Sequence, residues 1–361
     1  MDVAIVGGGL AGLTAAYDLV RFGSQVTLFD DQADFGGQVR TRHQDGFLIE
    51  DGAEGFVSAD TAVPALCRDL GIDDALIHQA EHRSLLYRDG GLSELSSRDA
   101  AMLLGIPVPG ASETRGLASL RNGMGSLAAA LAAAIQDKAT LIRARVASLR
   151  RSKGGWQLET ADGRGSGARH VLMAVPPTAA ATLLAPIDSE AARTLRDIPL
   201  TSNLSVSLAF PRSAVSDPLT ATGLVIAPDS ARADGLRACV FCSSKFANRA
   251  PPGYVLLRAF FRPDSTDLAA PDHEWVQRAF DALSPILGLR GRESASWVSR
   301  WPAAIPQYGP GHTDLVARLT AQLEAAGHLT VAGAAYLPGG VPGAVRSGRA
   351  AASSLRPSLR A

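Results

Sequence analysis

The first thirty residues alternate between short apolar runs and a longer segment with helical periodicity. Residues 3–6 are apolar, LTAAYDLVRFG (13–23) carries apolar residues at helical spacing, and QVTLFD (25–30) is a second short apolar run. Short apolar runs bounded by turn residues predict buried strands, and apolar residues three and four positions apart predict an amphipathic helix. The pattern predicts a strand–turn–helix–strand unit at the start of a parallel sheet.

The remaining chain continues this alternation of strands and helices. A three-stranded meander is predicted from TLIRARVASLRR (140–151), GGWQLETADG (154–163) and ARHVLMAV (168–175), and a strand-rich stretch covers about 200–262. The chain closes with a helix, the strand HLTVAGA (328–334) and the helix PGAVRSGRAAASSLR (342–356). A strand, a Gly-rich loop and a helix at the far end predict that the first unit is completed by the last one.

These patterns predict an α/β fold in which a discontinuous Rossmann-type domain holds an inserted α+β substrate domain with a mixed sheet. The expected Rossmann-type domain comprises residues 1–80, 120–176 and 325–361. The expected substrate domain comprises residues 81–119 and 177–324.

Composition and charge narrow the classes of partner. Lys plus Arg and Asp plus Glu number 35 each, so the chain has no basic field for nucleic acid, and we expect a small-molecule substrate. Three cysteines argue against a disulfide scaffold and for a reducing compartment, so we expect a cytoplasmic protein. No uninterrupted apolar run reaches the roughly 18 residues of a membrane helix, which predicts a soluble chain.

The turn after the first strand carries the strongest chemical signal. Gly7, Gly9 and Gly12 satisfy GxGxxG between a strand and a helix, and Asp30 ends the second strand. The first glycine permits a tight turn, the second a close approach of a pyrophosphate, and the third close packing of helix on strand. The pyrophosphate then meets the free amides of the helix N-terminus, and the acidic residue meets the ribose. The unit predicts dinucleotide binding.

Further motifs indicate which dinucleotide. A second Gly-Gly turn occurs in DFGGQVRT, followed by DGFLIEDGAEGF, LRNGMGSLAAAL, SSKFANRAPPGYVLLRAF, RWPAAIPQYGPGH and VAGAAYLPGGVPGAVRSGRAAA. With these blocks, the chain resembles the FAD-dependent amine-oxidase superfamily and, within it, the bacterial oxygen-dependent protoporphyrinogen oxidase family. The blocks cover both ends and most of the middle of the chain. The resemblance implies FAD as the cofactor.

The resemblance also implies residues that contact FAD at successive parts of the cofactor. The ADP half would be held by residues of the first turn and second strand, namely Gly7, Gly9, Leu10, Ala11, Gly12, Asp30 and Asp31, and the adenine side would meet Val146. The phosphates would face the second turn, which contains Gly36, Gly37, Gln38 and Arg40. The isoalloxazine would lie beside Gly52, Ala53 and Glu54, and its pyrimidine end would face the last helix and the loop before it, at Gly333, Val341, Pro342 and Gly343.

The sequence departs from the family pattern in two places. The second turn usually reads Gly-Gly-Arg or Gly-Gly-Lys but here ends in Gln38, so Arg40 or Arg42 would have to supply the missing cation. Only about a dozen residues join LLGIP (103–107) to LRNGMG (120–125), where relatives carry a helical domain that covers the substrate cavity and, in many members, contacts the membrane. The chain is therefore expected to lack this lid.

Side chains that take part in catalysis are not defined by a motif, because the flavin N5 carries the chemistry. Lys245, Arg258 and Tyr308 are weak candidates. For Lys245 the alternatives are a lysine near N5 and a solvated charge, and the solvated charge is favoured because a turn-like stretch follows. Arg258 would meet a substrate carboxylate or make a structural salt bridge, and Tyr308 would pack at the flavin edge or be structural. No metal-ligand spacing occurs.

Three functions remain open. The first is an oxidase similar to protoporphyrinogen oxidase, which takes hydride from a reduced ring and passes the electrons to molecular oxygen. The second is an FAD-dependent amine or amino-acid oxidase or a desaturase of a specialised pathway. The third is a weakly catalytic flavin-binding subunit, and a homo-oligomer or a partner protein would then replace the missing lid.

Overall fold

A computed structural model of the chain describes residues 2–104, 116–230, 235–264 and 266–355, and the side chain of Ser97 is left out. Most of the short linker expected in place of a lid, residues 105–115, lies outside the described residues. The strands are β1 (Asp2–Val6), β2 (Gln25–Asp30), β3 (Thr41–Gln44), β4 (Phe47–Glu50), β5 (Phe56–Val57), β6 (Leu76–His78), β7 (Ser84–Arg88), β8 (Gly91–Leu95), β9 (Leu117–Leu120), β10 (Thr140–Arg143), β11 (Val146–Ser152), β12 (Gly155–Thr160), β13 (Gly165–Ala168), β14 (His170–Met173), β15 (Leu200–Pro211), β16 (Gly223–Ile226), β17 (Leu236–Phe241), β18 (Tyr254–Phe261), β19 (Ala295–Pro306) and β20 (Leu329–Val331). The helices are α1 (Leu10–Arg21), α2 (Ala62–Leu70), α3 (Ser97–Leu104), α4 (Gly125–Ile135), α5 (Pro177–Leu184), α6 (Ser189–Arg196), α7 (Cys242–Lys245), α8 (Asp272–Leu287), α9 (His312–Ala326) and α10 (Gly340–Ser354).

The first sheet is parallel and has the strand order β10-β2-β1-β14-β20. Alternate residues of β1 point to opposite faces, as the two-residue period of a strand requires. Val3 and Ile5 belong to one apolar cluster with α1, α2, α4 and α10. Ala4 and Val6 belong to a second apolar cluster with α5, α6, α9 and the hairpins of β11–β13. Both faces of the sheet are therefore covered, as is usual for parallel sheets.

The second sheet has seven strands in the order β19-β15-β18-β17-β16-β7-β8. Only the β16–β7 pair is parallel among the strand pairs that the structure describes in this sheet, so the sheet is mixed. Its core includes Trp275, Ala279 and Leu283 of α8, which packs on one face. The predicted fold class is confirmed: a discontinuous Rossmann-type domain carries an inserted α+β unit with a mixed sheet.

The predicted meander is wrong in its outer strands. TLIR forms β10 at the edge of the parallel sheet and HVLM forms β14 inside it, whereas the antiparallel meander consists of β11, β12 and β13. Two residues, Ala144 and Arg145, separate β10 from β11, and two short strands in sequence look like one long strand when the chain changes sheets within such a short turn.

The apolar packing suggests a different division between the two units from the one predicted. α5, α6 and α9 pack on the parallel sheet, although the predicted boundaries place residues 177–324 in the substrate domain. We propose that the cofactor domain extends through α6 and resumes at α9. The strand β19 ends at Pro306, and α9 then begins at His312 and leads back into the parallel sheet.

Candidate active site

The dinucleotide turn is a compact loop between β1 and α1 in which the backbone itself is exposed to a ligand. Gly7 has a φ of +108°, a value that favours glycine, and a Cβ on Gly12 would lie 2.0 Å from the Gly7 carbonyl oxygen. α1 begins at Leu10, and no described side chain caps its N-terminus at Gly9. The first-turn amides of the helix are thus available to an anion.

Asp30 fixes the shape of this turn. Its Oδ2 accepts a hydrogen bond of 2.6 Å from the Gly8 N–H, and its Oδ1 accepts one of 2.7 Å from the Gln32 N–H. A Cβ on Gly8, which the motif does not specify, would lie 2.4 Å from the Phe35 ring, so a side chain there would require Phe35 to move. The carboxylate predicted to meet a ribose therefore also holds the turn in place.

The second glycine turn packs directly on the first. The Gly36 N–H donates to the Gly8 carbonyl oxygen at 2.8 Å, and a Cβ on Gly37 would lie 3.1 Å from the Gly9 Cα. Gly36 and Gly37 have φ values of +127° and +59°. Gly9 and Gly37 face each other above an uncapped helix end, and this cradle fits a pyrophosphate-bearing cofactor, because neither residue places a side chain between the two turns.

The cations expected to replace the missing one at the second turn are paired with a buried carboxylate. Asp51 accepts from the Arg40 Nε at 3.0 Å, from the Arg42 Nε at 2.9 Å and from the Ser299 Oγ at 2.6 Å. Burial opposes ionisation of Asp51, but these hydrogen bonds and charges outweigh it and lower its pKa. Gln38 instead donates to the Ala304 carbonyl oxygen at 3.0 Å, so the second turn is joined to β19.

Segment 52–54 continues from the second turn toward the substrate sheet. The Ala53 N–H donates to the Gln38 carbonyl oxygen at 3.0 Å, and a Cβ on Gly52 would lie 1.9 Å from that same oxygen. The segment therefore contacts the glycine turn on one side and, through the contacts described next, the substrate sheet on the other.

Arg258 anchors this segment from the substrate sheet. It is 2% exposed, and its guanidinium donates to the Asp51 carbonyl oxygen at 2.9 Å, the Gly52 carbonyl oxygen at 2.8 Å and the Ser205 Oγ at 3.0 Å. The Trp301 Nε1 also donates to the Asp51 carbonyl oxygen, at 2.7 Å. The structural salt bridge expected for Arg258 is wrong, because its described hydrogen bonds go to two backbone carbonyl oxygens and a hydroxyl and none goes to a carboxylate; contact with a substrate carboxylate stays a prediction.

Lys245 is buried, and the prediction that it is a solvated charge is wrong. It is 6% exposed, and its ammonium forms an ion pair with the Glu54 carboxylate. Burial opposes the Glu54 charge, but the charge and hydrogen bond of Lys245 outweigh it, so the pKa of Glu54 is lowered. Within the turn-like stretch after Lys245, Ala247 and Asn248 are exposed, whereas Arg249 is buried.

A polar network surrounds this ion pair. The Arg249 Nη2 donates to the Ser119 Oγ at 3.0 Å and to the Leu120 carbonyl oxygen at 3.2 Å, and the Ser119 Oγ donates to the Glu54 carbonyl oxygen at 2.8 Å. Glu50, also buried, accepts from the Met124 N–H at 2.7 Å, and burial raises its pKa. An enclosed cavity of about 10 Å³, room for about one water molecule, lies among these groups; it is lined by Leu48, Glu50, Glu54, Ser207, Cys242, Phe246, Arg249, Leu256 and Arg258.

The closing helix presents its N-terminus near the loop after β20. α10 begins at Gly340, and Gly333 and Gly339 have φ values of +145° and +124°. Val341 is buried, and Pro342 lies in the first turn, where its missing N–H costs no helical hydrogen bond. A Cβ on Gly343 would lie 2.6 Å from the Leu337 carbonyl oxygen, so this turn of backbone also requires glycine.

Tyr308 supports the same loop. Its hydroxyl donates to the Ala334 carbonyl oxygen at 2.8 Å, its ring packs edge-on against His312 at 5.1 Å, and burial raises its pKa to about 12. This placement agrees with the structural alternative for Tyr308, in which the segment after β19 fixes the loop that precedes α10.

The side expected to meet adenine has features that the sequence reasoning missed. Val146 is buried at the start of β11. Close by, the Arg143 guanidinium lies over the Phe35 ring, 3.4 Å from its centroid, and donates to the Gln32 carbonyl oxygen at 3.1 Å. Arg145 pairs with Asp31 at 2.8 Å. This proximity follows from the β10–β2 register, in which Arg143 lies opposite Asp30, and no signal in the sequence indicated it because TLIR was predicted in the meander.

Two searches of the described residues gave negative results. No described helix is long and apolar enough to cross a lipid bilayer. No group of three or more His, Cys, Asp or Glu side chains in the described ranges is arranged to hold a metal ion.

A Rossmann-type domain with two apposed glycine turns, joined to a mixed sheet through a buried charged cluster, defines the class of nucleotide-cofactor oxidoreductases. Comparison with known proteins specifies the class. The family profile described as flavin containing amine oxidoreductase matches residues 108–355, and an NAD(P)-binding Rossmann-like profile matches residues 5–70. The chain belongs to the flavin-containing amine oxidoreductase family, and it is a flavin-dependent oxidoreductase.

Individual relatives are similar over nearly the whole chain. The coproporphyrinogen III oxidase of Propionibacterium freudenreichii is 27% identical over 486 aligned positions, which cover 98% of this chain and 90% of that protein. The coproporphyrinogen III oxidase of Mycobacterium tuberculosis is 28% identical over 446 positions, covering 97% and 96%. Both alignments are longer than the 361 residues of this chain, so they include segments of the relatives that have no counterpart here.

A solved structure supports the fold. A protein from Exiguobacterium sp. 255-15 that carries the provisional name protoporphyrinogen oxidase superposes with a TM-score of 0.85 at 21% identity, covering 99% of this chain and 98% of that one. The amine-oxidase superfamily predicted from the sequence motifs is confirmed by the family profile that matches residues 108–355.

Proposed function

We propose that the chain is an FAD-dependent oxidase of a porphyrinogen, with coproporphyrinogen III as the first substrate to test. The observation that carries this proposal is the similarity to coproporphyrinogen III oxidases over 97–98% of the chain, on both sides of the predicted linker. A relative of this family that acted on amines alone would match the family profile equally well, so the substrate is the part to be tested.

The described residues fit FAD at four places. The N-terminus of α1, flanked by Gly9 and Gly37, would hold the pyrophosphate, and Asp30 would accept from the adenosine ribose. Val146 would contact the adenine side, and the N-terminus of α10 would face the pyrimidine end. Bound FAD supplies an acceptor for a hydride, which no side chain of the protein can provide.

The chain's own residues position and polarise the site. The first-turn amides of α10 favour negative charge near them, as a helix N-terminus does. The junction of the two sheets contains three cations, Lys245, Arg249 and Arg258, and the small cavity there is lined by two carboxylates, Glu50 and Glu54. The cations therefore outnumber the carboxylates. An electropositive junction suits a substrate that carries propionate groups, such as a porphyrinogen.

The overall reaction balances without a further reductant. Each cycle removes one hydride and one proton from the macrocycle, and three cycles convert a porphyrinogen to the aromatic porphyrin. We propose molecular oxygen as the acceptor, so that each cycle reduces one O₂ to one H₂O₂.

The test uses the purified full chain reconstituted with FAD. Aerobic incubation with coproporphyrinogen III, protoporphyrinogen IX or a panel of primary amines is followed by porphyrin fluorescence and by peroxide release. The proposal predicts porphyrin formation above the non-enzymatic rate, with three peroxides for each porphyrin. Peroxide release with an amine and none with either porphyrinogen would overturn it in favour of an amine oxidase, and bound FAD that reacts with neither would favour a weakly catalytic subunit.

A further inference from the structure

The ion pair between Lys245 and Glu54 is buried, although the fold has no evident need for charge at this point. Lys245 and Glu54 have side-chain exposures of 7% and 16%. A buried ion pair contributes little net stability compared with apolar side chains of similar volume, because both charges lose their hydration. Its position therefore needs an explanation beyond packing.

The pair joins the two halves of the molecule at the cofactor segment. Glu54 follows Gly52 and Ala53, which contact the Gln38 carbonyl oxygen of the second glycine turn. Lys245 ends α7, the short helix that follows β17 of the substrate sheet, and its carbonyl oxygen accepts from the Ala80 N–H at 2.8 Å. Residues 52–54, which the family resemblance places beside the flavin ring, are therefore joined to the substrate sheet at this junction.

The neighbouring arginines are committed to other partners. The described bonds of the Arg258 guanidinium go to two carbonyl oxygens and a hydroxyl, and those of Arg249 go to carbonyl oxygens and to the Ser119 Oγ. Lys245 is the cation whose ammonium contacts the Glu54 carboxylate directly. Lys245 and Glu54 therefore contribute to the local electrostatic potential with opposite signs.

We propose that Lys245 is a positioning residue that, through its ion pair with Glu54, sets the reduction potential of the flavin bound at this junction. A reduced flavin carries negative charge, so a fixed cation in a water-poor site stabilises the reduced form and a fixed carboxylate destabilises it. This inference rests on the proposed function only in requiring a bound flavin, and it holds for any substrate.

The experiment measures the midpoint potential of the bound flavin in the holoprotein by anaerobic equilibration with a reference dye at pH 7. Lys245→Met leaves the carboxylate beside Arg249 and Arg258 and is expected to lower the potential. Glu54→Gln leaves the ammonium and is expected to raise it. Each change should alter the ratio of reduced to oxidised flavin at a fixed dye potential at least tenfold, about 30 mV for a two-electron couple.

Two further variants separate electrostatics from structure. Lys245→Arg keeps the charge and should stay within threefold of the wild-type ratio, and the uncharged double variant K245M/E54Q should return close to it. Unchanged potentials in both single variants, or shifts of the same sign, would overturn the inference. If the single variants lose flavin while the double variant folds and keeps it, the pair is a structural couple only, and the inference fails.

The outcome is independent of the substrate assignment. A wild-type protein that binds flavin but oxidises no porphyrinogen removes the proposed function and leaves these potentials measurable. Opposite shifts would then still support the inference.

Discussion

The glycine cradle and the charged junction lie next to each other but are specified in different ways. The cradle consists of backbone, and its shape follows from Gly7, Gly12, Gly36 and Gly37, which stand within thirty residues of one another. The junction consists of side chains from distant parts of the chain, since Lys245 and Glu54 are 191 positions apart. One region requires the absence of side chains, whereas the other requires pairs of them that only the complete fold brings together.

The comparison predicts that the cradle is the least tolerant part of the molecule. A Cβ on Gly12 would overlap the Gly7 carbonyl oxygen at 2.0 Å, so Gly12→Val should destabilise the fold by more than the roughly 3 kcal/mol that ordinary overpacking costs. We expect little soluble protein and no bound flavin, measured by absorbance of the purified chain.

Gly309→Ala is the matched control, because a Cβ there would meet no described atom within 4 Å. It should leave both yield and bound flavin unchanged. Normal flavin content in Gly12→Val would contradict the role of the cradle.

Arg258 tests the junction. Arg258→Met removes three hydrogen bonds from a buried guanidinium, and each bond from a charged donor contributes about 1.5–3 kcal/mol, so we expect a loss of at least about 4.5 kcal/mol in the free energy of unfolding. Urea unfolding measures it. Arg262→Met removes an exposed side chain that donates to the Leu104 carbonyl oxygen, and it should change the free energy of unfolding by less than about 0.5 kcal/mol. Equal losses in the two variants would show that Arg258 does not anchor segment 52–54.

The free energy of unfolding is expected to depend on pH through a histidine at the N-terminal end of β14, the end of the parallel sheet that lies opposite the cradle. His170, at the start of β14, is buried, and burial followed by the charges of His328 and Arg169 lowers its pKa from 6.5 to about 4. The unfolded chain therefore binds a proton near pH 6.5 that the folded chain does not bind until about pH 4. The neutral His170 therefore contributes to the free energy of unfolding above about pH 6.5. About 2–3 kcal/mol of this contribution is lost as the pH falls from 6.5 to about 4.

Unfolding free energies at pH 7 and pH 4.5 in wild type and His170→Leu measure this contribution. The variant should lose less stability than wild type over the same interval. The control is His273→Leu, which changes an exposed histidine and should reproduce the wild-type pH dependence. An identical pH dependence in wild type and His170→Leu would contradict the assignment.

The smallest effect is expected at the adenine side of the cradle. Arg143 lies over Phe35, which fills the space beside Gly8, and a cation–π contact of this kind contributes about 1 kcal/mol. Arg143→Gln should therefore lower the free energy of unfolding by about 1 kcal/mol, measured by urea unfolding. Arg145→Gln removes an exposed pair with Asp31 and should change the free energy of unfolding by less than about 0.5 kcal/mol, and equal effects of the two changes would show that the stacking over Phe35 has no role.

Features determined by neighbouring residues were predictable from the sequence, and features determined by long-range packing were not. The GxGxxG turn, β1, α1 and β2 follow from local periodicity and glycine spacing, and the structure contains them at the predicted positions. The family followed from motifs spread along the chain. Both depend on information that lies within short segments.

Three errors share the opposite cause. Lys245 was expected in solvent because its local sequence resembles a turn, Arg258 was expected to make a structural salt bridge, and β10 and β14 were expected in the meander. In each case the partner is distant in sequence. Lys245 pairs with Glu54, and Arg258 donates to the carbonyl oxygens of residues 51 and 52. The strand β10 pairs with β2, and β14 pairs with β1. A helix such as α5 likewise shows its apolar face in the sequence but not the sheet on which that face packs.

The most direct test of the account is a single-turnover reduction of the bound flavin. The holoprotein is mixed anaerobically with coproporphyrinogen III while the flavin absorbance is recorded, with a primary amine in a parallel sample, and oxygen is then admitted. The account predicts bleaching of the flavin by the porphyrinogen, no bleaching by the amine, and return of the oxidised spectrum with oxygen. A flavin that stays oxidised with the porphyrinogen, or a purified chain that binds no flavin at all, would contradict it.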